Sequence, residues 1–135
     1  DKAADLREGV KLAAASIDHA VQHVSAPPAG VTREYGRYLT LAGGCAGCHG
    51  PGFSGGPVPT FPPDAPPAAN LTPAGISGWT EAMFFAALRE GKDPSGRVLD
   101  WRWMPWKATA KMTDEEIRAV WIYLQTVPSR QFGNR

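Results

Sequence analysis

Cysteine is scarce in this chain: two among 135 residues, Cys45 and Cys48, three positions apart. That excludes a disulfide framework, which needs more cysteines and wider spacing. It also argues against a structural zinc site, because four Cys/His ligands are usual and no second CxxC or HxxxH follows. Charge of one sign is scarce too. Fourteen Lys and Arg stand against 13 Asp and Glu, a formal net charge of +1. No Lys/Arg run occurs, so a basic nucleic-acid-binding surface is not expected. No apolar stretch is long enough to span a bilayer, and no signal-peptide apolar segment is present. The first residue is Asp1 rather than Met. The expectation is that something upstream was removed: a signal peptide, a membrane anchor or a preceding domain. Strand patterns and internal repeats are also missing.

Gly and Pro, by contrast, are abundant, at 15 and 13. In a chain sized for one domain, much of the fold must then be loop. Residues 1–24 read as an amphipathic helix, with Leu6, Val10, Ala13, Ile17, Val21 and Val24 at steps of three or four. A Pro-Pro-Ala-Gly linker follows, ending at Gly30. A second helix is expected from the cap Thr32, with Tyr35, Tyr38, Leu39 and Ala42 as its apolar face. Residues 50–78 carry no helical period. A third helix is predicted from Thr80 to Glu90, closed by Gly91, with Met83, Phe84, Phe85 and Leu88 towards the core. Residues 92–112 read as a second loop, with Trp101, Trp103 and Trp106 around Met104 and Pro105. Thr113-Asp-Glu-Glu116 is a capping box opening the last helix, whose buried stripe is Ile117, Val120, Trp121 and Leu124 and which Pro128 ends.

The strongest signal is Cys45-Ala-Gly-Cys48-His49. C-x-x-C-H is the haem c attachment pattern. Two thiols one helical turn apart reach the two vinyl groups of a haem, and the next residue presents its imidazole to the iron. Ala46 and Gly47 let the porphyrin lie close to the backbone. A thioredoxin-like reading of CxxC needs a preceding strand, and here a helix and Gly43-Gly44 precede it. A low-spin carrier needs a sixth ligand, for which three methionines compete. Met83 falls inside a helix among phenylalanines, and Met112 directly precedes a helix cap. Met104 sits in a loop, stiffened by Pro105 and flanked by tryptophans that would wall the thioether from water. His19 and His23, four apart on the first helix, could bind a metal, but two histidines on a solvated face is the simpler account.

From about Val31 to Pro128 the chain resembles class I cytochromes c, and is similar to the cytochrome domains that accompany bacterial membrane-bound dehydrogenases. The matching residues run in order: Gly36-Arg-Tyr-Leu39, CAGCHG from Cys45, Asn70-Leu-Thr-Pro73, Gly75-Ile-Ser-Gly-Trp79, Phe85-x-x-Leu-Arg-x-Gly91, Met104-Pro105-Trp106, and the run from Thr113 to Leu124. The resemblance implies an all-α fold with long loops wrapped round one haem. Its first and last helices would cross at Gly36, with Leu39, Val120 and Tyr123 around the crossing. It implies His49 and Met104 as axial ligands, and a carbonyl in the following loop, that of Pro57, as acceptor for the His49 Nδ1 proton. Asn70 and Trp79 would stand at the haem edge as donors to the propionates.

The expected organisation is an N-terminal helix and linker over residues 1–30 and a cytochrome domain over residues 31–135. A low-relief apolar patch at Cys45–Gly50 with Pro51 and Phe53 would suit brief docking of redox proteins. No acid/base pair or nucleophile beside a cavity suggests an enzyme. The expected role is single-electron transfer between periplasmic or membrane-bound partners. Other readings are a haem subunit of a larger oxidoreductase, docked through residues 1–24, and a haem-based sensor or peroxidase with an opening iron position. Carbon monoxide binding by the reduced protein would distinguish the last.

Overall fold

Thr32 adopts extended backbone, and its hydroxyl accepts the Tyr35 N–H at 3.2 Å. Helix α1 (Arg33–Ala42) therefore starts at the expected cap. It is the first element in a computed structural model that describes residues 18, 20 and 25–135. The helix expected over residues 1–24, with its His19 and His23, lies outside the described residues. Five further helices follow: α2 (Cys45–His49), α3 (Pro73–Ile76), α4 (Glu81–Glu90), α5 (Trp106–Thr109) and α6 (Asp114–Leu124). Among the described residues the fold is all-α, with no sheet and only the isolated bridges Gly56–Ala68 and Lys92–Val98.

Local chemistry sets the longer helices. Thr80 accepts the Met83 N–H at 3.2 Å and opens α4, and Gly91 closes it at φ +66°. Thr113 and Glu116 complete a reciprocal capping box at α6. Three acids in the first turn of α6 also oppose the helix dipole.

Helices α1 and α6 cross at Gly36. A Cβ there would lie 2.5 Å from the Ala119 carbonyl carbon and 2.9 Å from Tyr123 Cβ. Backbone cannot rotate out of the way, so only glycine permits this approach. The residue at closest approach is Ala119, fully buried, with the expected Val120 one position along. The core joins Phe53, Ile76, Phe84, Leu88, Ile117, Val120, Leu124 and Val127. Each large apolar side chain so covered contributes about 1.5–3 kcal/mol.

Several expectations are corrected. The buried face of α1 is Gly36 and Thr40, whereas Tyr38 and Ala42 are exposed. Met83 is 37% exposed, because it lies at the flank of the α4 stripe formed by Phe84, Ala87 and Leu88, about a quarter-turn from its centre. Phe53 is 4% exposed and belongs to the core, so it is no part of a surface patch. Its φ of +59° turns the ring inwards against Tyr123, 6.0 Å away edge to face. The two loops each contain a short helix, α3 and α5. Helix α6 ends at Leu124, ahead of Pro128.

Candidate functional site

Gly44, at φ +74°, turns the chain out of α1 and into α2. That single short helix carries Cys45, Cys48 and His49. Both cysteines are free and half-buried. Burial pushes the Cys45 thiol up, so it is held as the neutral thiol.

His49 is 8% exposed. Its Nδ1 lies 2.7 Å from the carbonyl oxygen of Ala69. A carbonyl only accepts, so Nδ1 carries the proton, and the neutral ring keeps its lone pair on Nε2. Burial holds the imidazole pKa below its ordinary value, with the Ala69 bond opposing, which favours that neutral ring. Nε2 has no hydrogen-bond partner among the described residues. The imidazole is thus oriented by one nitrogen and open at the other, the arrangement of a metal-binding histidine.

The acceptor is Ala69 and not Pro57, for a reason visible in the loop. Gly55 N–H returns to the His49 carbonyl at 2.9 Å, and Gly55 adopts φ +72°. Gly56 and Ala68 then exchange N–H···O bonds of 2.9 and 3.0 Å. This bridge brings Ala69 beside the imidazole and leaves Pro57 beyond it. The Pro57 carbonyl instead accepts from Arg135 Nη1 at 3.1 Å.

Asn70 is half-buried and largely spent on the protein itself. Its Oδ1 accepts from Thr72 N at 2.9 Å and Thr72 Oγ1 at 2.7 Å, and its Nδ2 donates to the Arg130 carbonyl at 2.8 Å. Only one amide hydrogen remains for any other acceptor. Trp79 packs half-buried against the core, and its indole N–H has no partner among the described residues.

Met104 and Met112 are both half-buried against that same core, whereas Met83 faces out. The Met104 segment is fixed from several sides. Met104 N–H bonds to the Asp100 carbonyl at 3.1 Å, and Met104 O accepts from Trp106 N at 2.7 Å. The Trp106 indole donates to Leu99 O at 2.9 Å while its ring covers Gly91, where a Cβ would lie 2.6 Å from Trp106 Cδ1. Arg89 staples α4 to the chain before α6, donating to the carbonyls of Ala110 and Met112 and pairing with Asp114 at 2.5 Å. The expected tryptophan wall is partial. Trp103 meets Phe61 at a tilt, with ring centroids 5.1 Å apart, but Trp101 is 51% exposed beneath Lys107.

The donor set fits a covalently held haem. It offers two unbonded thiols one turn apart and an imidazole with Nε2 open, and Cys45 packs with partly buried apolar side chains, Leu71, Trp79 and Met104 among them, on one common core. Sequence reasoning missed Ala69, Gly55, Thr72, Arg130 and Arg135. Ala69 acts through a backbone carbonyl, so no side-chain signal could have found it. The two arginines lie beyond the last helix, outside any motif.

A family model described as cytochrome c matches residues 34–128. Over 99 residues, 67% of this chain, the sequence is 33% identical to the fructose dehydrogenase cytochrome subunit of Gluconobacter japonicus, 20% of which is covered. Over 106 residues, 73% of this chain, it is 34% identical to a nicotinate dehydrogenase subunit of Pseudomonas putida, 9% of which is covered. The chain therefore spans a fifth or less of the length of these relatives.

Proposed function

The chain belongs to the cytochrome c family, and we propose that it is the haem c electron-transfer module of a larger bacterial dehydrogenase assembly. The cofactor implied by this family and by the Cys45/Cys48 spacing is one covalently bound haem c, and the module is an electron carrier rather than a catalyst of substrate chemistry. Haem c supplies a one-electron ferric/ferrous couple. In this reading Cys45 and Cys48 would hold the group through two thioethers, and His49 Nε2 and the Met104 thioether would serve as ligands to its iron. Trp79, whose indole N–H is unengaged, is a propionate donor, and Asn70 can offer its remaining amide hydrogen.

The observation that carries the reading is His49 held by Ala69 beside two free thiols. The bond to Ala69 fixes the ring plane and raises the basicity of Nε2. A thioether paired with an imidazole would favour the reduced state relative to two nitrogen ligands. The rigid staples around Met104 hold its backbone in place, so the ligand set has little freedom to rearrange as charge comes and goes. Met104 is favoured over Met112 because Met112 lies directly against the α6 cap, its carbonyl already bonded by Arg89.

Residues 31–135 form the electron-transfer module in this reading, and residues 1–30 connect or dock it to the rest of the assembly. Attachment of haem c takes place outside the cytoplasm, so the site of action is the bacterial periplasm, free or tethered at the membrane. Its partners are the redox centres of a dehydrogenase, another cytochrome or an oxidase. No helix among the described residues is long and apolar enough to cross a membrane.

Expression in a host able to mature c-type cytochromes tests the reading. The pyridine haemochrome spectrum with intact mass should report one haem held by two thioethers. Met104→Ala should abolish the near-infrared sulfur–iron band and lower the midpoint potential, while Met112→Ala keeps both. A colourless protein whose thiols still alkylate would refute the haem assignment. Retention of the band in Met104→Ala would refute the ligand.

A further inference from the structure

The chain after α6 does not trail into solvent. Thr72 Oγ1 lies 3.2 Å from both the N–H and the carbonyl of Arg130, and Asn70 Nδ2 adds a bond to that carbonyl. Gly133 N–H bonds to the Ser54 carbonyl at 3.1 Å. The Arg135 guanidinium reaches the carbonyls of Gly55, Gly56 and Pro57 at 3.4, 3.4 and 3.1 Å. Residues 130–135 are thus fastened along both arms of the loop that holds the His49 acceptor.

Two cations ride on this strap, directly against the backbone that follows His49. A Cβ on Gly50 would lie 3.3 Å from Arg135 Cβ and 3.4 Å from its Nε. A Cβ on Gly52 would lie 2.7 Å from Arg130 Nε. Glycine at both positions lets the arginines approach so closely. Neither arginine pairs with an Asp or Glu carboxylate among the described residues. Five other cations of the fold, Arg89, Lys92, Arg97, Arg102 and Arg118, do. The strap therefore brings positive charge without an acidic side-chain partner to the loop beside the imidazole.

We infer that Arg130 and Arg135 are potential-tuning residues, whose charge, held against Gly50–Pro57, favours the reduced state of the group that His49 ligates. The inference rests on the proposed ligation by His49. Its physical basis is that ferric iron carries one more positive charge than ferrous, so a nearby fixed cation opposes oxidation. Charge acts over this range with a strength set by local dielectric and salt.

The test is the midpoint potential of the mature holoprotein, for wild type, Arg135→Gln, Arg130→Gln with Arg135→Gln, and Arg135→Lys, at low and high salt. Glutamine keeps an amide donor for the same carbonyls, and lysine keeps the charge. At the wild-type midpoint and low salt, the ratio of reduced to oxidised protein should fall about three- to tenfold in the double variant. At 59 mV per tenfold for one electron, that is about 30–60 mV. Arg135→Gln should fall in the same direction by less, and serves alone if the double variant does not mature. Arg135→Lys should stay near wild type, and the gap between wild type and glutamine variants should narrow at high salt. A glutamine variant with unchanged potential overturns the inference, as does a lysine variant shifted as far as glutamine, which would mark a purely steric role. Wild-type protein without covalent haem would instead overturn the proposed function, so the two failures are separable.

Discussion

Gly55→Ala should damage this protein in two measurable ways. Gly55 has φ +72°, and a Cβ placed there would lie 2.5 Å from the Ala69 oxygen and 2.6 Å from its carbon. That oxygen is the one His49 Nδ1 bonds at 2.7 Å. An unstrained carbon–oxygen contact needs about 3.3 Å, so the carbonyl must retreat by roughly 0.8 Å. A retreat along the hydrogen-bond axis would leave Nδ1 at most about 3.5 Å distant, at the limit of a hydrogen bond. The left-handed backbone costs alanine about 1–2 kcal/mol, and the weakened bond about 1 kcal/mol more. For a domain of this size, a total near 2–3 kcal/mol lowers the melting temperature by roughly 8–12 °C. The less basic imidazole should also raise the midpoint potential. Gly96→Ala is the control, because Gly96 shares the left-handed backbone, at φ +84°, but has nothing within 4 Å of a Cβ. It should lose about 1–2 kcal/mol and leave the potential unchanged. The assay is thermal unfolding of the holoprotein followed by haem absorbance, with redox titration of the same samples. A Gly55→Ala protein matching Gly96→Ala in both measurements would refute the reasoning.

Other perturbations have equally definite outcomes. Gly36→Ala forces α1 away from the Ala119 backbone and should destabilise by about 1–3 kcal/mol, despite alanine's better helix propensity. Denaturant unfolding measures this, with Gly78→Ala, where a Cβ meets nothing within 4 Å, as the neutral comparison. Thr113→Ala removes the α6 cap and should cost about 1 kcal/mol in the same assay. The Arg102 guanidinium holds the Asp100 carboxyl down to about 2, below its ordinary 3.8. A depressed carboxylate pKa gives stability that is present above the unfolded value and lost as pH falls through the folded one. Wild type should therefore exceed Asp100→Asn in melting temperature at pH 6, with the gap closing between about pH 4 and pH 2. A gap that persists at about pH 1.5, below the folded value, would show that charge is not its source.

What could be read from the sequence was whatever depends on neighbours in the chain. Thr32, Thr80 and Thr113 cap from their own side chains, and Gly91 closes α4 through its own backbone freedom, so four boundaries were visible without a fold. The thiol spacing and His49 are likewise local. Helices α3 and α5 are four residues each, too short for a hydrophobic period to register. Met83 misled because its phenylalanine neighbours suggest a core, while its own position lies at the edge of the buried stripe. The Ala69 acceptor was invisible, since its place depends on the Gly56–Ala68 bridge closing a loop of prolines. Phe53 reads as surface beside glycines, until its positive φ turns it under Tyr123.

The strap also shows how far along the chain the site draws its support. Its bonds from Asn70 and Thr72 to Arg130 join residues 60 and 58 positions apart. Closing so long a loop costs conformational entropy, which the bonds at Arg130, Gly133 and Arg135 jointly offset. The segment beside His49 thus owes its outer fastening and its two cations to residues that no local pattern in the chain connects to it.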